Sequence, residues 1–307
     1  LTTIEHLDYL NTSEVKYMTS MFFNSSSLET LDLSSFNTKK VTNMYDMFNG
    51  STNLRSIKLP KGFIGSSVTY LKAMFNNCTS LTELDLSGSN SENVKDMSEM
   101  FNGCRALSKL VLTDFKTGQV STMKSMFCNC STLETLDVSS FNTENVTTMC
   151  GMFSHCSSLR SLDLTGFNTA NVTDMSSMFK KCSSLRSLDL SSFNTRKVSD
   201  MQSMFEGCTN LESIDFSSFD TENMTSMIAM FNSCTKLETL DLSSFATPKM
   251  VTMSTAFGEC ENLKTIYVSS AFTTDKVTVG FGLFDGCVSL PNFNSAKTGK
   301  EMAHTGE

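Results

Sequence analysis

Two hydrophobic rhythms alternate along this chain. In the stretch from Leu133 to Ser158, Leu136 and Val138 flank the polar Asp137, an alternation that predicts a short strand with one buried face. From Val146 onward the apolar residues fall at Met149, Met152, Phe153 and Cys156, at offsets of three, six, seven and ten. That spacing predicts a helix or a chain of helical turns. Thr143, with Asn142 beside it, precedes the stripe and is of the type that caps helix starts. Strand, corner and helical return together make one coil.

The coil is written repeatedly. Met-Phe recurs at Met21-Phe22, Met47-Phe48, Met74-Phe75, Met100-Phe101, Met126-Phe127, Met152-Phe153, Met178-Phe179, Met204-Phe205 and Met230-Phe231, with Ala256-Phe257 and Leu283-Phe284 as worn copies. The spacing is 26 or 27 residues throughout. A module this short cannot bury its own apolar face, so the copies must stack into a solenoid. Residues of equal phase then form columns. Phe36, Phe115, Phe141, Phe167, Phe193, Phe219, Phe245 and Phe272 form an aromatic column at the corner. Two methionine columns, one through Met149 and one at the Met-Phe positions, lie on the apolar stripe and read as core filling, not soft-metal ligands. Extra residues around Pro60–Ser67 and around Val279–Gly282 predict bulged corners. The expected organisation is a single solenoid over residues 1–290 with a polar C-terminal cap or exit segment over 291–307.

Nine cysteines, from Cys78 to Cys287, sit three residues after the repeat phenylalanine, where Ser25 and Ser51 stand in the first copies. Stacked strands place such residues about 4.8 Å apart and parallel, whereas a disulfide needs converging Cβ atoms about 3.5–4.5 Å apart. The prediction is a buried column of reduced thiols. Cys128 and Cys150 fall outside the column, and a bridge between them stays open. Net charge is −8 with a pI of about 5.0, and basic residues do not cluster, which argues against nucleic acid and anionic lipid as partners. No apolar run reaches 18 residues, so membrane insertion is not expected; Leu1 begins inside a repeat, and the chain reads as a piece of something longer.

The motif L-x-x-L-D-L-S-S-F-N-T-x-x-V-T-x-M-x-x-M-F-x-x-C resembles the 26-residue repeat of the BspA family of bacterial leucine-rich-repeat surface proteins, from about Leu1 to Leu290. The resemblance implies an α/β repeat solenoid: a right-handed, leucine-rich-repeat-like coil with a parallel β-sheet on the concave side and short helices on the convex side. It also implies an extracellular place on a bacterial cell surface, anchored outside this segment, and adhesion to host matrix or cell-surface protein or to another microbe's surface. It carries no fixed binding residues onto these positions.

Candidate chemistry lies on the outward face of the strands. One column runs Asp32, Lys58, Asp85, Val111, Asp137, Asp163, Asp189, Asp215, Asp241 and Tyr267. Neighbouring carboxylates at about 4.8 Å repel by about 0.9 kcal/mol even in water, so flanking Ser and Thr hydrogen bonds, or a cationic partner, must compensate. Asp137, Asp163, Asp189, Asp215 and Asp241, with Tyr267 and Lys58, are therefore the candidate partner-binding residues. A second column pairs opposite charges, Glu29 with Arg55, Glu134 with Arg160, Arg186 with Glu212 and Glu238 with Lys264, and reads as structural. His6, His155 and His304 occupy unrelated phases, and His155 reads as exposed and inert. No nucleophile sits beside a base, and no metal or phosphate motif appears, so neither enzyme activity nor a cofactor is expected. The function expected is a cell-surface binding module, an adhesin docking protein on its concave sheet face; the alternative is a structural spacer or assembly rod projecting other domains.

Overall fold

The computed structural model describes residues 2–291 and has the architecture of a β-solenoid of stacked coils. His304 and nearly all of the expected 291–307 segment lie outside the described residues. Eight short strands, β1 (Thr30–Asp32), β2 (Ser56–Lys58), β3 (Glu83–Asp85), β4 (Lys109–Val111), β5 (Ser187–Leu188), β6 (Ser213–Ile214), β7 (Thr239–Leu242) and β8 (Thr265–Val268), pair in parallel as β1-β2, β3-β4, β5-β6 and β7-β8. Their register is the one the repeat demands, with Leu31 beside Ile57, Leu84 beside Leu110 and Leu240 beside Ile266. The inward residues are buried and the outward ones exposed, as the alternation predicts.

The helices do not form. Among the described residues the only helical segment is a 3-10 turn at Leu7–Tyr9. In their place each coil carries a chain of tight turns: the amides of Phe141, Val146, Met152, Cys156 and Leu159 donate to carbonyls three residues earlier. A spacing of three therefore records overlapping turns, not the 3.6-residue period of a helix. Alternate amides turn outward from the coil and bond to the next one. Met149, Gly151, Phe153 and His155 donate to Asp174, Ser176, Met178 and Lys180 at 2.6–3.0 Å. A parallel ladder of single bridges runs through this face from Tyr17 to Val279.

Positive backbone φ is what stops a helix here. Each turn segment has two left-handed residues four apart, such as Ser125 and Asn129, Gly151 and His155, Ser177 and Lys181, and Ser203 and Gly207. Left-handed backbone costs a residue with a Cβ about 1–2 kcal/mol, and Gly avoids the cost. Gly50, Gly103, Gly207 and Gly286 fill the same slot as Lys181, whose φ is 57°. Lys181→Gly should therefore stabilise the protein by about 1 kcal/mol in urea unfolding, after the extra chain entropy of Gly is subtracted. A loss of stability would mean that the Lys181 side chain matters more than its backbone.

Thr143 is not a helix cap. Its buried Oγ1 accepts the amide of Asn168 at 2.8 Å and donates to the Asn168 carbonyl at 2.9 Å, stapling one coil to the next. Thr169 and Thr195 repeat the staple. The corner phenylalanines are buried, except that Phe272 is only partly so. Their contacts are tilted, as between Phe115 and Phe141, with centroids 6.4 Å apart. The continuous spine is the Met-Phe column instead. From Phe22 to Phe284 its rings stack at 5.0–5.9 Å with interplanar angles of 1–12°. Both methionine columns are buried beside it, save Met21 at the first coil.

The bulge over Pro60–Ser67 forms as expected, and it buries Phe63 and Ile64 where the next coil has only the small Ser89 at the corner. The second added residue lies elsewhere than expected. Leu242 still pairs with Val268 at an interval of 26, whereas the amide of Thr273 meets Thr247 Oγ1 at 26, one more than the 25 of the other staples, and Phe272 follows Phe245 by 27. The extra residue is thus taken up after β8, before Phe272, and not at Val279–Gly282.

Candidate docking face

All eleven cysteines are free thiols, and the nine of the column are buried. Each column Sγ donates to the carbonyl of a repeat phenylalanine in the preceding coil, from Cys78 to Phe48 through Cys287 to Phe257, at 2.9–3.2 Å. Ser51 makes the same bond to Phe22 at 2.8 Å, so the slot selects a small donor. Burial pushes the thiols up, to about 12 for Cys104, Cys156, Cys208 and Cys260, which removes them from nucleophilic chemistry at neutral pH. Cys128 and Cys150 are unbridged and half-buried, their sulfurs accepting from Asn129 and Ser176 at 3.2 Å.

The aspartate column is exposed along its length. Asp32, Asp85, Asp137, Asp163, Asp189, Asp215 and Asp241 each close an Asx turn, Oδ1 accepting the amide two residues on at 2.8–3.0 Å. At Asp32, Asp137 and Asp163 the hydroxyl of that residue donates to the same oxygen at 2.6–2.7 Å. Hydrogen bonds from Ser34, Ser139 and Thr165 accordingly hold these three carboxyls below the usual range, and those from Ser191, Ser217 and Ser243 do the same for Asp189, Asp215 and Asp241. Against them, the neighbouring carboxylates Asp189 and Asp137 raise Asp163 through space.

That repulsion coincides with a change in the sheet. Where aspartate faces another residue type, the strand runs through it: Asp32 pairs with Lys58, Asp85 with Val111 and Asp241 with Tyr267. Lys58 Nζ also lies 3.3 Å from Asp32 Oδ2. Where aspartate faces aspartate, pairing stops short. β5 and β6 end at Leu188 and Ile214, one residue before Asp189 and Asp215, and the segments around Asp137 and Asp163 are not strands. Tyr267 stands 55% exposed at the far end of the column, which makes it available to a partner. In the second column Arg160–Glu134, Arg186–Glu212 and Lys264–Glu238 are ion pairs at 3.2, 3.9 and 2.8 Å, all with exposed side chains, whereas the expected pair of Glu29 with Arg55 does not form among the described residues. Such pairs contribute about 0–1 kcal/mol each, as a structural column should.

One feature was not anticipated from the sequence. A groove of about 670 Å³ is lined by Arg105, Asn129, His155, Lys181, Glu206 and a row of hydroxyls. His155 is half-buried there and not freely exposed. Burial, then Lys181 and Lys180, lower its imidazole below the usual range. Its signal in the sequence was three basic side chains, Arg105 in one column and His155 and Lys181 in the next, where most other copies have small or neutral residues. Among the described residues no cluster of His, Cys, Asp and Glu could hold a metal ion, and no helix is long and apolar enough to cross a membrane.

Solved structures with similar coils include a leucine-rich cell surface protein from Faecalibacterium prausnitzii, 18% identical over 89% of this chain and 74% of that one, with a TM-score of 0.49. A leucine-rich-repeat protein from Bacteroides ovatus is 16% identical over 94% of this chain and 88% of the other, with a TM-score of 0.40. One from Eubacterium ventriosum is 15% identical over 88% and 64%, with a TM-score of 0.33. No curated protein matches the chain. Three overlapping stretches, residues 2–113, 109–212 and 186–296, match one family, whose repeats fit the BspA-like pattern. The chain therefore belongs to the family described as Mycoplasma protein of unknown function, DUF285.

Proposed function

We propose that this chain is a non-enzymatic binding module displayed on a bacterial cell surface, which docks a basic protein segment of host matrix, host cell or neighbouring microbe along Asp137, Asp163, Asp189, Asp215 and Asp241. One observation carries the reading. Each of these carboxylates uses Oδ1 for its own turn, and none of the five is ion-paired among the described residues. The result is a row of like charges on exposed backbone whose pairing has lapsed, and a cationic partner would relieve both. Exposure of Tyr267, in the coil next to Asp241, supports its place at the edge of the docking face, whereas Lys58 is exposed but stands beyond Asp85 and Val111 and is paired with Asp32. Deep burial of the thiol column is consistent with an oxidising exterior.

The spacer reading has its own support, since the Asx turns account for every aspartate without a ligand. Substitution by Asn separates the two. Asn keeps the Oδ1 acceptor, as Asn142, Asn168 and Asn194 do at another corner, and removes only the charge. Lysine would remove the turn as well. D163N/D189N/D215N should retain thermal stability within about 1 kcal/mol while binding to immobilised matrix protein falls at least tenfold and loses its salt dependence. Unchanged binding would favour the spacer.

A further inference from the structure

The groove lined by Arg105, His155 and Lys181 belongs to a different set of columns from the aspartates, and it carries a different charge. Among the described residues neither Arg105 nor Lys181 is ion-paired, although the chain as a whole is at −8. The single carboxylate of the lining, Glu206, is already held by Lys180 at 2.8 Å with both side chains mostly buried. The groove is therefore locally basic. Its floor is a hydroxyl ladder: Ser131 Oγ donates to the Arg105 carbonyl, Ser157 Oγ to Ser131 and Ser183 Oγ to Ser157, each at 3.3 Å. A hydroxyl whose proton is committed inward offers only its lone pairs outward. A ligand here must bring anionic groups for Arg105 and Lys181, and donors of its own at the spacing of the coils.

We propose that this groove binds an anionic oligosaccharide of the uronic-acid class, its carboxylates meeting Arg105 and Lys181 and its hydroxyls donating to Ser131, Ser157 and Ser183. A polyhydroxy anion supplies both features on every residue of the polymer. An acidic peptide supplies its charge, but its amide donors point alternately to either side of the strand. The volume of about 670 Å³ is that of a site for a short oligomer, not a single ion. His155, flanked by Lys180, Lys181 and Glu206, adds a further positive charge on protonation, so affinity rises as the solution is acidified.

The test is calorimetric titration of the whole chain with hexameric oligogalacturonate, with maltohexaose and hexaglutamate as comparators. Lys181→Gly suits the backbone at that position, and Arg105→Gln keeps the length of the side chain, so R105Q/K181G should fold. Oligogalacturonate should bind the natural chain, weaken at least tenfold in the double variant, and tighten as the pH falls below the ordinary histidine range, because burial and the two lysines lower the His155 imidazole; maltohexaose should not bind. Equal or tighter binding of hexaglutamate would overturn the proposal in favour of an acidic peptide. Absence of oligogalacturonate binding, or binding that the double variant leaves intact, would overturn it outright. The aspartate column is untouched by these variants, so either result leaves the docking face to its own test.

Discussion

Phe153→Ala should cost about 3–5 kcal/mol, among the largest effects of any single substitution in this chain. Phe153 is fully buried and stacks on Phe127 at 5.7 Å and on Phe179 at 5.8 Å, so its removal deletes two ring contacts and leaves a void between them. In a solenoid each coil is stabilised only by its neighbours, so the damage should be local before it is global. Hydrogen exchange should accelerate first at the amides of Phe127 and Phe153, which donate to the carbonyls of Met152 and Met178 in the next coil. Phe22, whose ring stacks on Phe48 alone among the described rings, should lose less on the same substitution. Equal costs for Phe22→Ala and Phe153→Ala, measured by urea unfolding, would show that the stack is not a cooperative spine.

Raising the pH should unfold the protein well before its peptide chemistry is threatened. The thiols of Cys104, Cys156, Cys208 and Cys260 ionise near 9 when exposed and are pushed up to about 12 by burial. Because the folded value is the higher one, their contribution is complete below pH 9 and is lost as the pH climbs toward 12. Each thiol removes about 1.4 kcal/mol per pH unit over that range, so by pH 11 these four together withdraw about 10 kcal/mol. That matches the whole stability of an ordinary domain, about 5–15 kcal/mol. Replacing the four by Ser should flatten the alkaline profile, because Ser51 already shows a hydroxyl making the same bond to a phenylalanine carbonyl. An unchanged alkaline midpoint in the Ser variant would place the transition elsewhere than at these four thiols.

What could be read in the sequence was whatever follows from phase alone. Once the repeat is aligned, the cysteines, methionines and phenylalanines must stack, and they do, because neighbouring coils present identical surfaces. The helical return could not be separated from a turn ladder, since an offset of three suits both and the decisive feature, positive φ at Ser125, Ser177 and Lys181, falls on residues that carry no mark of it. Hydrogen bonding of Ser139 and Thr165 to the aspartates was legible from their spacing, but the shortening of β5 and β6 before Asp189 and Asp215 was not. The groove escaped notice for the opposite reason. Repeat alignment favours what recurs, and Arg105, together with His155 and Lys181 of a second column, departs from the repeat at positions that the fold brings to one groove.

Because the ladder bonds run from coil to coil, tension applied along the stack pulls them open one row at a time instead of loading many rows together. A coil of 26 residues that gives way would pay out about 90 Å of extended chain in exchange for about 5 Å of height. Under drag the molecule would lengthen in steps, acting as a shock absorber whose remaining coils keep both faces intact.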